Sequence, residues 1–234
     1  MEFLRFPHTP HLSWLGEGQP RDDKVLSPVE ARELLDGEIV VEEKLDGANL
    51  GFSVSPEGRL LAQNRGSYLS RGQVHPQFKP LFRWLQGRED QLAEALFPNL
   101  ILFGEWCYAL HSVRYGHLPD WYLAFDVYDR EAGEFWSVDR RDELVARMGI
   151  TPVPHLARGR FELDDLIKML GQSRVSSSLV EGLYVRREQK GVLAARAKLV
   201  RPEFVQAIEE HWSKRPVEPN RLSEDAARRL NWFS

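Results

Sequence analysis

Residues 41–49 read VEEKLDGAN, and this stretch decides how the chain folds around its chemistry. The β-branched run from Ile39 to Lys44 indicates a strand, and Gly47 indicates a turn directly after it. A lysine at the end of a buried strand, next to such a turn, is held with its amine facing a cleft. The alternative interpretation is an ordinary surface lysine beside a β-turn.

A nucleophilic role would place one demand on Lys44. A lysine amine attacks only when it is neutral, and the ordinary pKa of lysine is about 10.4. Chemistry near pH 7 therefore requires the pKa of Lys44 to lie well below that value. We expect burial and neighbouring cations to lower it.

The regions on either side of this stretch have recognisable local patterns. Upstream, Ser27, Pro28 and Gly37 predict a helix over residues 28–36, as its N-cap, its first residue and its terminator. Downstream, residues 50–55 and 60–64 have strand character and are separated by the turn sequence PEGR, which predicts a hairpin.

The same signals continue to the end of the chain. They predict strands over residues 100–108, 121–128, 180–187 and 192–200, and helices over 78–97 (two pieces around Gly87), 140–148 (Ser137 as cap), 163–170, 202–212 and 223–230. Seven to nine strands, mostly antiparallel by their hairpin links, with peripheral helices predict a single α+β domain.

Composition excludes several classes of protein. The 234 residues are 42% hydrophobic and 28% charged, with a net charge of -4 and one cysteine. A disulfide framework and a cysteine-rich zinc site are therefore excluded, and Cys107 is expected to be a buried thiol. No apolar run is long enough to span a membrane, and the first ten residues lack a secretory signal, so we expect a cytoplasmic protein.

Five further elements follow the Lys-Leu-Asp-Gly sequence of residues 44–47. They are Arg65 after a strand, LFGEW at 102–106, LAFDVYD at 123–129, EGLYVR at 181–186 and RAK at 196–198. Together, and in this order, the six elements resemble the covalent nucleotidyltransferases, which include ATP- and NAD-dependent ligases and mRNA capping enzymes. The resemblance implies the antiparallel-sheet, ATP-grasp-like adenylation domain of ligases.

The resemblance also implies nucleotide-binding roles. Lys44 would carry AMP covalently, Glu105 would accept hydrogen bonds from the ribose, and Phe125 would stack on the purine. The residues expected to surround the nucleotide are Glu42 or Glu43 (at the adenine edge), Asp46, Gly47, Asn49, Arg65, Glu105, Phe125, Arg196 and Lys198. Without the motif order, Phe125 would be read as a core residue, and Glu105 and Glu181 are each equally consistent with an edge-strand charge.

The last two motifs, at 181–186 and 196–198, would interact with the phosphates. Glu181 would hold Mg²⁺ or Mn²⁺ through water, because carboxylate oxygens suit hard cations. Arg196 and Lys198 would neutralise charge on the α-phosphate and help to lower the pKa of Lys44. Arg196 stands where the family has lysine, which keeps the charge but changes its geometry. Without the motif order, Lys198 would be read as part of a solvated face.

Asn49 indicates which branch of this superfamily is closest. DNA ligases and capping enzymes usually carry arginine at that position, whereas Gly-Ala-Asn at 47–49 is similar to nick-sealing RNA ligases of the phage double-strand type and their bacterial relatives. Four more segments resemble the bacterial members: TPHLSW at 9–14, DDK at 22–24, LHSVRY at 110–115 and LPDW at 118–121.

We therefore expect an ATP-dependent RNA ligase that joins a 5′-phosphate to a 3′-OH in RNA or an RNA-containing nicked duplex. The expected organisation is one adenylyltransferase domain over 1–234, with an N-terminal arm and helix (1–36), a short helical tail (201–234) and no OB domain. We expect a monomer, and an end-healing kinase or phosphatase could act before it. The alternatives are a GTP-dependent capping-type guanylyltransferase and a catalytically silent binding module derived from a ligase.

Overall fold

A computed structural model describes residues 2–17, 24–206 and 216–232. Its elements in chain order are α1 (Pro28–Leu35), β1 (Ile39–Lys44), β2 (Ala48–Val54), β3 (Leu60–Gln63), a 3-10 turn (Pro76–Phe78), α2 (Leu81–Trp84), α3 (Glu89–Leu96), β4 (Leu100–Trp106), β5 (Tyr122–Asp129), β6 (Glu134–Phe135), α4 (Val138–Arg147), β7 (Thr151–Pro152), β8 (His155–Gly159), α5 (Leu163–Lys168), β9 (Gly182–Gln189), β10 (Val192–Val200), α6 (Pro202–Gln206) and α7 (Glu224–Arg229).

The strands form two sheets. One has four strands in the order β10-β9-β1-β8, and the other has the order β3-β2-β4-β5-β6, with β7 paired to β5. All of these pairings are antiparallel except that of β5 with β7. Because β1 belongs to the first sheet and β2 to the second, the three residues Leu45–Gly47 carry the chain from one sheet to the other.

Each sheet has its own core. The larger core packs the second sheet against α2, α3 and α4, with Trp84, Trp106 and Tyr122 at its centre. The smaller core packs β1, β9 and β10 against α1 and α5. Ile39 and Val41 face this smaller core, and since side chains alternate along a strand, Glu42 and Lys44 face the opposite way. The alternation of β1 therefore turns Lys44 away from the core behind its sheet.

The C-terminal segment packs onto the larger core. The buried amide of Asn220 donates to the carbonyls of Cys107 (2.8 Å) and Ala109 (3.1 Å), and its oxygen accepts from the Tyr115 amide at 2.9 Å. Trp232 also contacts Trp121 edge to face. Residues 216–232 are thereby joined to the same body as the sheets.

The structure confirms the predicted α+β class and the mainly antiparallel pairing. Ser27 and Ser137 cap α1 and α4 as predicted, and Cys107 is a buried free thiol. The count of seven to nine strands was too low, because β6 and β7 have two residues each and β8 is an edge strand with no fully buried residue and no hydrophobic alternation. No helix in the described ranges is long and apolar enough to cross a membrane.

Some predictions fall on residues that the structure does not describe. The helix predicted over 202–212 is described only as far as residue 206, and the Asp-Asp pair at 22–23 lies outside the described ranges. The helix predicted over 223–230 is present as α7.

Gly182 marks the closest approach between β9 and β10. A Cβ at this position would lie 2.4 Å from the Leu199 carbonyl oxygen and 3.1 Å from the Val200 Cα. Both neighbours are backbone atoms of a paired strand, which cannot move independently of the sheet. The glycine of the Glu-Gly motif is therefore required by packing.

We predict that Gly182→Ala will destabilise the protein by about 1–3 kcal/mol, the usual cost of overpacking a close contact. The measurement is thermal or urea unfolding. Gly72→Ala is the control, because nothing lies within 4 Å of a Cβ built at Gly72. Equal stabilities of the two variants would contradict this explanation.

Candidate active site

A cleft of about 840 Å³ lies at the point where the chain passes from β1 to β2. Nine residues predicted to contact the nucleotide line it: Glu42, Glu43, Lys44, Gly47, Asn49, Arg65, Glu105, Phe125 and Lys198. Its size suits a small-molecule ligand. Three other predicted residues do not line it, namely Asp46, Glu181 and Arg196.

Lys44 is paired with Glu181 at the cleft. Its Nζ donates to both carboxylate oxygens of Glu181, at 2.7 Å and 2.6 Å. The two side chains are 26% and 13% exposed, so the pair is largely shielded from water. Glu181 does not line the cleft itself, but it contacts Lys44, which does. This pair connects the lysine motif at 44–47 directly with the Glu-Gly motif at 181–186.

The prediction of a lowered pKa for Lys44 was wrong for the protein without ligand. Burial lowers the pKa of Lys44, but the charges of Glu181, Glu105 and Asp46 together outweigh it, and the pKa is raised above the ordinary lysine value. The amine is therefore held as an ammonium ion. The charges of three carboxylates therefore outweigh the effect expected from the cations at 196 and 198.

Glu105 is the second carboxylate beside Lys44. Burial is the main reason that its pKa rises to about 8, since the Lys44 ammonium only partly offsets it. One of its oxygens accepts a hydrogen bond from the Gly47 amide at 3.0 Å. For Glu181, burial likewise outweighs the neighbouring ammonium and raises the pKa to about 7. Two carboxyl groups with raised pKa values, those of Glu105 and Glu181, therefore lie beside the Lys44 amine.

Asp46 stabilises the turn between the sheets. One carboxylate oxygen accepts from the backbone amides of Ser112 (2.6 Å) and Val113 (2.7 Å), and the Asp46 amide donates to the Tyr115 hydroxyl at 2.8 Å. Asp46 was expected to contact the nucleotide, but its carboxylate is used in this turn and the residue does not line the cleft. Asp46 instead fixes the turn that aims Lys44.

Gly47 completes that turn. A Cβ at this position would lie 2.6 Å from the Trp106 carbonyl oxygen and 3.0 Å from the Glu105 Cγ. Only glycine lets the turn approach the end of β4 so closely. The packing therefore explains why the lysine motif ends in glycine.

The structure separates Glu42 from Glu43, which the sequence could not do. Glu43 accepts hydrogen bonds from the Ser173 hydroxyl (2.5 Å) and the Arg174 amide (2.9 Å), so it anchors the loop before β9. Glu42 faces the same way as Lys44, is fully buried, and pairs through Oε1 with Arg141 at 2.7 Å. Its Oε2 accepts no hydrogen bond from the described residues. That oxygen lies 3.9 Å from Arg186 Nη1, in ion-pair contact only, whereas both Glu43 oxygens accept hydrogen bonds.

Two fully buried arginines lie behind this end of the cleft. Arg141 and Arg186 both donate to the Phe125 carbonyl, at 2.7 Å and 3.1 Å. Arg141 also holds Glu42, and Arg186 pairs with the buried carboxylate of Asp126. Removing one partner of such a buried pair commonly costs about 3–5 kcal/mol. These charges fix the positions of Glu42 and Phe125. None of the three charged residues behind them was predicted as a site residue.

Arg196 belongs to this buried group and not to the cleft wall. Its guanidinium donates to Asp126 Oδ2 at 2.8 Å and lies over the rings of Phe6 (4.6 Å) and Phe135 (4.3 Å). The expected contact of Arg196 with the α-phosphate does not agree with this position. Lys198, two residues along β10, is the motif cation that does line the cleft.

Aromatic residues form the apolar end of the cleft. The half-buried ring of Phe125 lies 6.4 Å from that of Tyr184, and Phe6 packs edge to face against Phe125 at 5.1 Å. Phe6 and Tyr184 were not predicted as site residues, although Tyr184 lies within the quoted EGLYVR motif. A flat aromatic ligand would find its contacts here.

The N-terminal arm forms another wall of the cleft. His8 and Thr9 line it, and the neighbouring backbone pairs with β10: the Lys198 amide donates to the Pro10 carbonyl (2.8 Å), and the Leu12 amide donates to the Lys198 carbonyl (2.7 Å). The arm therefore fixes the backbone from which Lys198 projects. The resemblance over residues 9–14 was the only sequence signal for this.

Comparison with known proteins gives one family and one fold. A sequence model of the family described as RNA ligase matches residues 37–200. The structure of Naegleria gruberi RNA ligase with PPi has a TM-score of 0.60 and 20% identity, covering 76% of this chain and 54% of that chain. A mutant of that enzyme with ATP and Mn has a TM-score of 0.57 and 20% identity, covering 75% and 53%. A search of curated proteins found no match.

The structural likeness extends to most of this chain but to only part of the compared proteins. A second mutant of the Naegleria enzyme with ATP and Mn has a TM-score of 0.59 and 19% identity, covering 88% of this chain and 63% of that chain. The present chain thus spans between about half and two thirds of the compared structures. At these identities the likeness shows the fold.

We predict that Glu105→Gln will stabilise the ligand-free protein increasingly as the pH rises from 4.5 to about 8, and that the difference then levels off. The pKa of Glu105 rises from 4.5 to about 8 on folding, so the folded state holds its proton more tightly. Stability from this group is complete below pH 4.5 and is lost as the pH rises through 8. Glutamine stays neutral and can still accept from Gly47. Thermal unfolding across this range measures the effect, and parallel curves for both proteins would contradict it.

Proposed function

Because this chain belongs to the RNA ligase family, we propose that it is an ATP-dependent RNA ligase that forms its AMP intermediate on Lys44. The observation that carries this proposal is the Lys44 amine at the cleft, hydrogen-bonded to Glu181 from the Glu-Gly motif. Two motifs separated by 137 residues in sequence meet at one nitrogen atom. A binding module would not need a buried lysine with such partners.

The first step is attack by the Lys44 nitrogen on the α-phosphorus of ATP. A P–N bond forms, the P–O bond to the β-phosphate breaks, and pyrophosphate leaves. The amine must lose a proton first, and Glu181 lies at hydrogen-bond distance from it. Since the pair with Glu181 helps to raise the pKa of Lys44, nucleotide binding must loosen the pair before the lysine can react.

Glu181 suits a divalent cation that arrives with the nucleotide. Within the described ranges, no group of three His, Cys, Asp or Glu residues is placed to hold a metal ion. This fits Mg²⁺ or Mn²⁺ held by one carboxylate, water and the substrate phosphates. Bound there, the cation would neutralise charge on the phosphates. Glu181 would hold the cation with the carboxylate that now accepts from Lys44, and a weaker pair would make the amine easier to deprotonate.

The aromatic end of the cleft would receive adenine. Phe125 offers a ring face, and the buried Oε2 of Glu42 offers a hydrogen-bond acceptor. The 6-amino group of adenine is a donor, whereas guanine carries a carbonyl oxygen at that position. An acceptor at this edge therefore favours ATP over GTP. Arg141 holds the Glu42 carboxylate in place.

The remaining steps use the same cleft. The 5′-phosphate of an RNA strand attacks the phosphorus of lysyl-AMP, which releases Lys44 and leaves AMP on the RNA end. The 3′-OH of the other strand then attacks that 5′-phosphate, forms the phosphodiester and expels AMP. Lys198 and Arg65, which both line the cleft, supply positive charge for these phosphates. Glu105 is placed to accept from the ribose.

We predict that Lys44→Ala will abolish transfer of label from α-labelled ATP to the protein. Without the amine there is no atom to form the P–N bond. The measurement is a denaturing gel after incubation with ATP or GTP and a divalent cation, using protein shown not to carry AMP already. Lys168→Ala, at an exposed lysine on α5, is the control and should label like the wild type.

Three results would redirect the proposal. Label on the Lys44→Ala variant would remove Lys44 as the nucleophile. Label from GTP alone would favour a guanylyltransferase. No label on the wild type from either nucleotide would favour a silent binding module.

We predict that Glu42→Gln will raise the KM for ATP by roughly 10- to 100-fold, because a hydrogen bond to a charged group contributes about 1.5–3 kcal/mol. It should also reduce the preference for ATP over GTP. Glu43→Gln is the matched control, since its side chain binds Ser173 and the Arg174 amide instead. Steady-state adenylylation kinetics with both nucleotides measure the effect. If only the Glu43 variant had a higher KM, Glu43 and not Glu42 would be the residue that contacts the base.

A further inference from the structure

The charges of this chain are unevenly distributed along the sequence. The net charge is -4, yet residues 58–88 contain no aspartate or glutamate. The six cations of this carboxylate-free segment are Arg59, Arg65, Arg71, Lys79, Arg83 and Arg88. A protein that grips nucleic acid needs such a local concentration of positive charge and not a basic average.

The carboxylate-free segment forms one rim of the cleft. Residues 64–67 follow β3 and line the cleft, as do Gln77 and Phe78 in the 3-10 turn. The intervening residues have no helix or strand and are mostly exposed. Tyr68 in this loop is 38% exposed and packs at right angles to the Phe3 ring, with ring centroids 5.2 Å apart.

Two of the six cations are held by aromatic rings and backbone carbonyls, and a third lies at a hairpin tip beside a carboxylate. Arg83 lies over the Trp232 ring at 4.4 Å, and Arg88 lies over the Trp84 ring at 4.9 Å. Both also donate to backbone carbonyls, at 2.8 Å and 2.7 Å. Arg59 lies at the tip of the β2–β3 hairpin, 3.7 Å from Glu57.

The other three cations remain available. Arg65 and Lys79 are exposed, and neither side chain makes an ion pair or hydrogen bond with any residue that the structure describes. Arg71 pairs with Glu89 at 3.0 Å and lies 5.4 Å from the centroid of the Phe82 ring, but the two side chains of the ion pair are 64% and 48% exposed. Such an exposed pair contributes little and is readily exchanged for a phosphate.

We propose that Arg65, Arg71 and Lys79 form an RNA-docking rim, which binds the backbone phosphates of the RNA strand whose end enters the cleft. The inference rests on the proposed ligase function. Arg65 lies at the cleft itself, and Arg71 and Lys79 extend the positive charge along the same loop and the 3-10 turn. Phosphate contacts of this kind fix position without reading sequence.

The test measures binding of a nicked RNA duplex, with a 5′-phosphate and a 3′-OH at the nick, over a series of salt concentrations. The double variant Arg71→Ala/Lys79→Ala should lower the slope of log K against log salt by roughly 1.8, about 0.9 for each lost phosphate contact. The double variant Arg160→Ala/Lys168→Ala removes the same charge outside the segment and should keep the wild-type slope. Labelling by ATP should be unchanged, because neither Arg71 nor Lys79 lines the cleft.

An unchanged slope in the Arg71/Lys79 variant would overturn the docking rim, as would an equal change in the control. Wild-type protein that takes label from ATP but does not bind the duplex would also overturn it. Failure of the proposed function has a different signature, since the wild type would then take no label from ATP. The salt series still tests the docking rim in that case.

Discussion

The site depends on the three-residue connection between the two sheets. Lys44 ends a strand of one sheet and Ala48 begins a strand of the other, so Leu45–Gly47 must turn within a fixed distance. Asp46 holds this turn through the amides of Ser112 and Val113, and Gly47 lets it approach the Trp106 carbonyl. The amine of Lys44 is aimed by backbone packing, and the sequence of the motif follows from that requirement.

The residues that face the cleft are held in place by a separate set of buried charged residues. Glu42 and Phe125 face the cleft, whereas Arg141, Arg186 and Asp126 lie buried behind them. Buried charges of this kind are costly unless they are paired, and here each has a partner of opposite sign. Their directional hydrogen bonds hold the Phe125 carbonyl and the Glu42 carboxylate rigidly. A nucleotide would then meet a surface that is already ordered, which lowers the entropic cost of binding.

The sequence contained most of the fold but less of the site. Hydrophobic alternation and turn residues predicted β1, β10 and the β2–β3 hairpin, because these patterns act locally. The edge strand β8 was missed since it has little apolar surface to reveal it. The motif order identified the cleft, but the positions of Asp46 and Arg196 depend on partners distant in sequence, Ser112 and Asp126. The raised pKa of Lys44 has the same origin: three carboxylates meet there only after folding.

In the proposed mechanism, the ion pair between Lys44 and Glu181 would also protect the amine between turnovers. An uncharged amine in an open cleft would react with cellular electrophiles such as cyanate and acyl phosphates, and each such adduct would block the nucleophile. As an ammonium ion held by two hydrogen bonds, Lys44 has no lone pair to offer them. In the proposed mechanism, the contact that has to loosen before adenylylation would thus also act as a chemical safeguard, confining reactivity to the moments when a nucleotide occupies the cleft.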